Sequence, residues 1–283
     1  MVAIEKLLFS YTDAKQLFCD LDIKILPGNI CGLLGENGAG KTTLLKIISG
    51  LLFPQSGNCN IFGFNPKERK AQFLGDIYFL PEEFYIPTIT IPEYIKLYAP
   101  FYKKFDEKYF LNCVDEFQLS KIKKLSEHSY GQKKKFLLAF ALASNCRLIM
   151  LDEPTNGLDI PSKTQFRKLL AQSITDEKTF VISTHQVRDV ENLIDPIIVL
   201  HDGKIIFNES VATITKRLNF SIQPRIQKSS DVIYSEKSFS GYSVVSENKG
   251  AYESELDIEM LFKAILTNQK RIGEIFKGEV YAK

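Results

Sequence analysis

An α/β core with a mostly parallel sheet covered on both faces is the fold the sequence predicts, with a helical subdomain inserted into it and a small α+β appendage behind it. Three observations carry this. Short apolar runs rich in Ile, Val and Leu recur along the chain, helical patterns separate most of them, and the pattern changes at about residue 84 and again after about residue 218. Continuous apolar runs of this length read as strands buried on both faces, and their alternation with helices is the pattern of a parallel sheet.

The strands expected, in order, are residues 30–34, 76–80, 148–151, 179–183 and 197–201. A helix over 42–48 follows the first. Between about residues 84 and 146 the helical segments 92–101, 106–117 and 132–143, punctuated by Pro87, Pro92 and Pro100, form the inserted subdomain. Residues 231–235 and 241–245 alternate as strands do, and 258–267 reads as an amphipathic helix. The chain therefore divides into a main domain over 1–218 and a small α+β domain over 219–283.

Size and composition agree. A chain of 283 residues, 45% hydrophobic and 25% charged, suits one large domain with an appendage. Its 36 Lys and Arg against 34 Asp and Glu leave a net charge of +2, too balanced to point to nucleic acid or an anionic membrane surface. The basic clusters at residues 121–124 and 133–135 read as solvated surface. Five widely spaced cysteines, Cys19, Cys31, Cys59, Cys113 and Cys146, with no CxxC pair, read as buried reduced thiols of a cytosolic protein. No signal peptide is expected from the first residues. The most apolar stretch, 136–151, is interrupted by Ser144, Asn145, Cys146 and Arg147, so a membrane span is not expected there.

Three segments carry chemistry. Gly35-Glu36-Asn37-Gly38-Ala39-Gly40-Lys41-Thr42-Thr43 fits the phosphate-binding pattern GxxxxGK[ST], between an expected strand and an expected helix. Its glycines let backbone N–H groups approach phosphate oxygens, Lys41 would reach the β and γ phosphates, and the Thr42 hydroxyl would ligate Mg²⁺. Asp152 and Glu153 end the apolar run 148–151; Asp152 would hold Mg²⁺ through its water shell and Glu153 would polarise the attacking water. Ser129, Gly131 and Gln132 open the helix 132–143, where a helix N-terminus can hold a second anion or simply carry an N-cap.

In this order the motifs resemble the ABC ATPase family over about residues 1–210. The resemblance implies a P-loop NTPase core of ABC ATPase type. It further implies that two such domains close head to tail, so that each ATP lies between one P-loop and the partner's signature segment. It assigns Tyr11 to stacking on adenine, residues 156–159 to the D-loop and His185 to contact with the γ phosphate. Two motifs depart from the family pattern. The signature LSGGQ stands here as His128-Ser129-Tyr130-Gly131-Gln132, and the Q-loop glutamine is replaced by Glu82, a carboxylate still able to ligate Mg²⁺ or its water.

The function so implied is ATP binding and hydrolysis with Mg²⁺. The chain would act as a homodimer or with a paired ATPase subunit, on the cytoplasmic face of a membrane, powering a separate transmembrane permease, with export as the direction. No nucleic-acid partner is expected. Two alternatives remain open on the residues alone: a non-transport ABC ATPase, and a nucleotide sensor without useful hydrolysis.

Overall fold

The computed structural model describes residues 1–12, 15–225, 231–239, 241–250 and 254–276. Its centre is a sheet of six strands in the order β5-β6-β7-β3-β8-β9: Ile77–Leu80 (β5), Leu148–Asp152 (β6), Thr179–Thr184 (β7), Ile30–Leu34 (β3), Ile197–His201 (β8) and Lys204–Glu209 (β9). The first five are parallel and β9 pairs antiparallel with β8. Every residue of β3, β6 and β7 is buried, as their continuous apolar runs require.

Successive residues of these strands feed opposite cores. Cys31, Leu33 and Met150 join one cluster with helix α1 (Lys41–Ile48), and Ile30, Leu34, Ile149 and Leu151 join the other. The first cluster is closed by an antiparallel sheet that the sequence reading did not anticipate, in the order β2-β1-β4: Lys15–Ile25 (β2), Val2–Thr12 (β1) and Ser56–Ile61 (β4). Helix α2 (Ala71–Leu74) leads from it into β5.

The second cluster lies under the expected helical insertion, formed by α3 (Ile91–Tyr98), α4 (Glu107–Glu116) and α5 (Tyr130–Ala143), and under α6 (Ile160–Ser173). Each helix starts on a side-chain cap. Thr90 and Glu93 form a capping box for α3, Ser129 and Gln132 form one for α5, and Asp106 and Asp159 cap α4 and α6. The helix expected to reach residue 101 stops at Tyr98 and passes into a 3₁₀ turn containing Pro100, which has no N–H to continue the ladder.

Behind β9, helix α7 (Val211–Arg217) leads into a three-stranded antiparallel sheet in the order β10-β12-β11: Leu218–Gln223 (β10), Gly241–Glu247 (β12) and Val232–Ser238 (β11). Helices α8 (Ile258–Thr267) and α9 (Gln269–Phe276) complete this part. Its core is continuous with the main one: Ile258, Leu261 and Val245 share a cluster with Val187, Val190 and Ile194. No helix among the described residues is long and apolar enough to cross a membrane.

One cysteine contradicts the expected burial. Cys31, Cys59, Cys113 and Cys146 are buried thiols, whereas Cys19 is exposed. Next to it Asp20 adopts φ 54°, and the shift it introduces into the β1–β2 register turns both residues outward between buried Phe18 and Leu21.

The aromatic centre of the insertion is Phe140, 1% exposed, with ring centroids of Tyr94, Phe105 and Tyr102 at 5.1, 4.9 and 5.8 Å. Phe140→Ala is expected to cost about 3–5 kcal/mol through lost contact and a residual cavity. Urea unfolding would show this as a lower midpoint at unchanged slope; a loss below about 1 kcal/mol would mean that the neighbours collapse into the space.

Candidate active site

The parallel register sets Leu34 beside Thr184 and Asp152 beside Ser183, so β3, β6 and β7 end along one edge of the sheet. The loop 35–40 leaves β3 at that edge and feeds straight into α1. Gly40, at φ 106°, is the last loop residue; a β-carbon there would lie 2.7 Å from the Phe18 ring, so both backbone and space demand glycine. The amide groups of the first turn of α1 are thereby left facing the cleft, as anion binding requires.

Lys41 is buried and folds back on its own loop, donating from Nζ to the carbonyls of Gly35 at 2.7 Å and Glu36 at 3.2 Å. Burial lowers its pKa, against the pull of Glu153, Asp152 and Glu82. Thr42 donates from Oγ1 to Oδ2 of Asp152 at 2.6 Å, and Ser183 donates to the other oxygen of the same carboxylate. Thr42 and Asp152, with Glu82 also on the cleft, are hard oxygen donors. They fit Mg²⁺, which is held through one or two carboxylates, a hydroxyl and substrate phosphate rather than by a protein cage.

Glu153 follows at φ 45°, a strained setting for a residue with a β-carbon, and such strain clusters at functional sites. Its buried carboxylate accepts from the backbone N–H of His185 at 3.0 Å and from Thr184 Oγ1 at 3.1 Å, and lies 2.7 Å from His185 Nδ1. Tyr11 stands across the cleft, its hydroxyl 2.9 Å from Thr43 Oγ1 and its ring edge-on to Phe9 at 5.0 Å.

The cleft, about 720 Å³, brings together Tyr11, Asn37, Gly38, Gly40, Lys41, Thr42, Thr43, Glu82, Asp152, Glu153 and His185. Gly35 stands just behind it, its carbonyl taken by Lys41. Ser129, Gly131 and Gln132 do not line it. The Ser129 hydroxyl accepts from Gln132 N at 3.3 Å and the Gln132 side chain accepts from Ser129 N at 3.0 Å, so within one chain this segment is an N-cap. The cleft also holds Thr12, Lys15 and Leu17, which the sequence reading missed; they lie at the end of β1 and the start of β2.

The lysine run 133–135 corrects a second expectation. Lys134 is fully buried, its ammonium 5.6 Å from the Phe84 ring centroid and without a hydrogen-bond partner among the described residues. Helix α5 is buried on nearly every side, so its run of lysines cannot stay wholly in water. Loss of hydration lowers the Lys134 pKa to about 8, against the attraction of Glu82, Asp152 and Glu153.

A glycine-rich phosphate loop between a parallel strand and a helix, faced by Asp152 and Glu153 from a second strand, defines a P-loop nucleotide-binding protein. The family model for ABC transporter matches residues 18–156. Over 191 residues the chain is 35% identical to the SkfA peptide export ATP-binding protein SkfE of Bacillus subtilis (strain 168), covering 65% of this chain and 79% of that one. It is also 35% identical over 198 residues to the uncharacterized ABC transporter ATP-binding protein YdbJ of the same organism, covering 68% of this chain. That match spans 64% of YdbJ's own length, just under two thirds. Among solved structures it is similar to the ATP-binding cassette MJ0796 in a dimeric post-hydrolysis state with ADP and Pi, at 26% identity and TM-score 0.66, covering 75% of this chain and 99% of that one. The chain belongs to the ATP-binding proteins of the ABC transporter family.

Burial of the Lys134 ammonium implies a pH dependence of stability. Its folded pKa of about 8 lies below the ordinary 10.5, so between those values the unfolded chain binds more protons and stability rises with pH. Below that window the folded protein carries the full cost of the buried charge. Lys134→Met is expected to raise stability at pH 7 by about 2–3 kcal/mol and to reduce the rise between pH 7 and 10. Urea midpoints at the two pH values test this; an equal gap between variant and wild type at both would show that the ammonium is not the cause.

Proposed function

We propose that this chain binds and hydrolyses Mg-ATP, closes head to tail on a second nucleotide-binding domain, and drives a separate membrane permease from its cytoplasmic face. The observation that carries the reading is the pair of carboxylates at the end of β6: Asp152 bonded to Thr42 of the phosphate loop, and Glu153 bonded to His185 beyond β7. Phosphoryl transfer to water calls for positioning and charge neutralisation rather than a covalent intermediate. Thr42, Asp152 and Glu82 would hold Mg²⁺, which would supply charge neutralisation at the phosphates.

The chain's own residues supply the rest. Lys41 leaves the loop carbonyls for the β and γ phosphates, and Tyr11 with its neighbours receives the base. Glu153 orients the attacking water and takes its proton, and His185 fixes that carboxylate while facing the γ phosphate. Ser129, Gly131 and Gln132 present a capped helix N-terminus to the partner's ATP, which is why they stand away from the cleft of their own chain. The peptide-export name carried by SkfE supports export as the direction. The net charge of +2 supports a protein rather than a nucleic-acid partner. We read residues 219–283 as a small α+β domain appended to the main one.

Glu153→Gln should bind Mg-ATP with turnover lower by about 10²-fold or more, and light scattering should find it dimeric with ATP and monomeric without. Ser129→Ala and Lys41→Ala, each added to that variant, should abolish the dimer. Turnover of Glu153→Gln near the wild-type rate would remove Glu153 from its role, and a persistent monomer with ATP bound would replace the shared site by a sensor or by an obligatory partner subunit.

A further inference from the structure

Tyr130 lies between Ser129 and Gly131, where the family pattern has glycine. Its ring stacks on Phe84 with centroids 5.2 Å apart and planes 21° apart, and its hydroxyl donates to the backbone carbonyl of Glu82 at 3.1 Å. It also lies against the loop that follows Glu153: a β-carbon on Gly157 would come within 2.7 Å of the Tyr130 ring. One side chain therefore touches both the loop that carries Glu82 and the loop that carries Asn156.

From Glu82 the hydrogen bonds run on to the hydrolytic centre. Asn156 Nδ2 donates to Glu82 Oε1 at 2.8 Å, and Gln186 Nε2 donates to Asn156 Oδ1 at 3.1 Å. The Gln186 backbone N–H donates to Thr184 Oγ1 at 2.9 Å, and that hydroxyl donates to Glu153 Oε2 at 3.1 Å. Asn156 is also tied directly to Glu153, its backbone N–H donating to the Glu153 carbonyl at 3.2 Å. The connection runs through both side chains and backbone groups, with a defined donor and acceptor at each hydrogen bond, on loops that leave three different strands.

The geometry points to Tyr130 as a positioning residue for ATP hydrolysis: by holding the Glu82 loop against the Asn156 loop it sets the Glu153 carboxylate of its own chain. The assignment rests on the proposed hydrolysis in a head-to-tail pair. In such a pair Ser129 meets the partner's ATP while Glu153 serves its own, so Tyr130, adjacent to Ser129, joins the two sites through one chain. Glycine at this position would leave the Glu82 carbonyl without this donor and the Phe84 ring without its stacking partner.

Tyr130→Phe removes the hydroxyl and keeps the stack. In the full chain it is expected to lower kcat about three- to tenfold, the effect of one positioning hydrogen bond, with KM for Mg-ATP within about twofold. Tyr130→Gly should lower kcat further, and Tyr85→Phe, at an exposed neighbouring tyrosine, should change neither constant. The chain has three histidines, His128, His185 and His201, few enough for their imidazole signals to be followed by NMR. In nucleotide-free Tyr130→Phe the His185 signal should shift and that of His201 stay in place. An unchanged kcat with a stationary His185 signal would overturn the assignment. If the wild type itself proves unable to hydrolyse ATP, the proposed activity fails, and the His185 signal alone then decides whether Tyr130 reaches the Glu153 centre.

Discussion

The hydrogen bond from Thr42 to Asp152 joins residues 110 positions apart and depends on the whole central sheet being in register. It requires β3 and β6 to run parallel with β7 between them, so that the phosphate loop, the two acids and His185 all emerge on one edge. Hairpins cannot connect strands in this way; the crossovers must pass over the faces of the sheet, and α1, the helical insertion and α6 are what those crossovers contain. The two cores on opposite faces are thus a consequence of the same demand that puts a hydroxyl next to a carboxylate.

That demand explains what was legible in the sequence. A phosphate loop needs glycine at positions such as 40, and an acid-terminated apolar strand leaves an unmistakable run, so residues 35–43 and 148–153 could be read directly. The β1–β2–β4 sheet could not. Lys6 and Asp20 take left-handed backbone angles, and the register shifts between β1 and its neighbours break the two-residue alternation by which strands are recognised. Helix α6 was missed for a related reason: its buried apolar residues, Phe166, Leu169 and Leu170, are too few to stand out among polar neighbours. In the site, Tyr11 and His185 fell into place only through family resemblance, since a lone tyrosine or histidine carries no signal in spacing.

Charge burial is the other constraint. The ammonium groups of Lys41 and Lys134 both lose water on folding, and the same three carboxylates, Glu82, Asp152 and Glu153, attract them. The lysines differ in how they are otherwise satisfied. Lys41 has two loop carbonyls to donate to, groups that phosphate oxygens can replace, so its cost is recovered when an anion arrives. Lys134 has an aromatic face and no hydrogen-bond acceptor among the described residues, which makes it a standing cost of the fold.

This difference bears on the two departures from the family pattern. Tyr130 bonds to the backbone carbonyl of Glu82, and a glutamine would present the same carbonyl, so the tyrosine does not by itself call for a carboxylate at position 82. Asn156 donates to the Glu82 side chain, and an amide oxygen could accept that bond as well. Hydrogen-bond geometry therefore accounts for the position of the loop but not for its charge. The Glu82 carboxylate is one of three, with Asp152 and Glu153, whose attraction acts against the loss of hydration at Lys134. An acid at 82 therefore works in the same direction as Asp152 and Glu153, favouring the charged form of a lysine that burial disfavours.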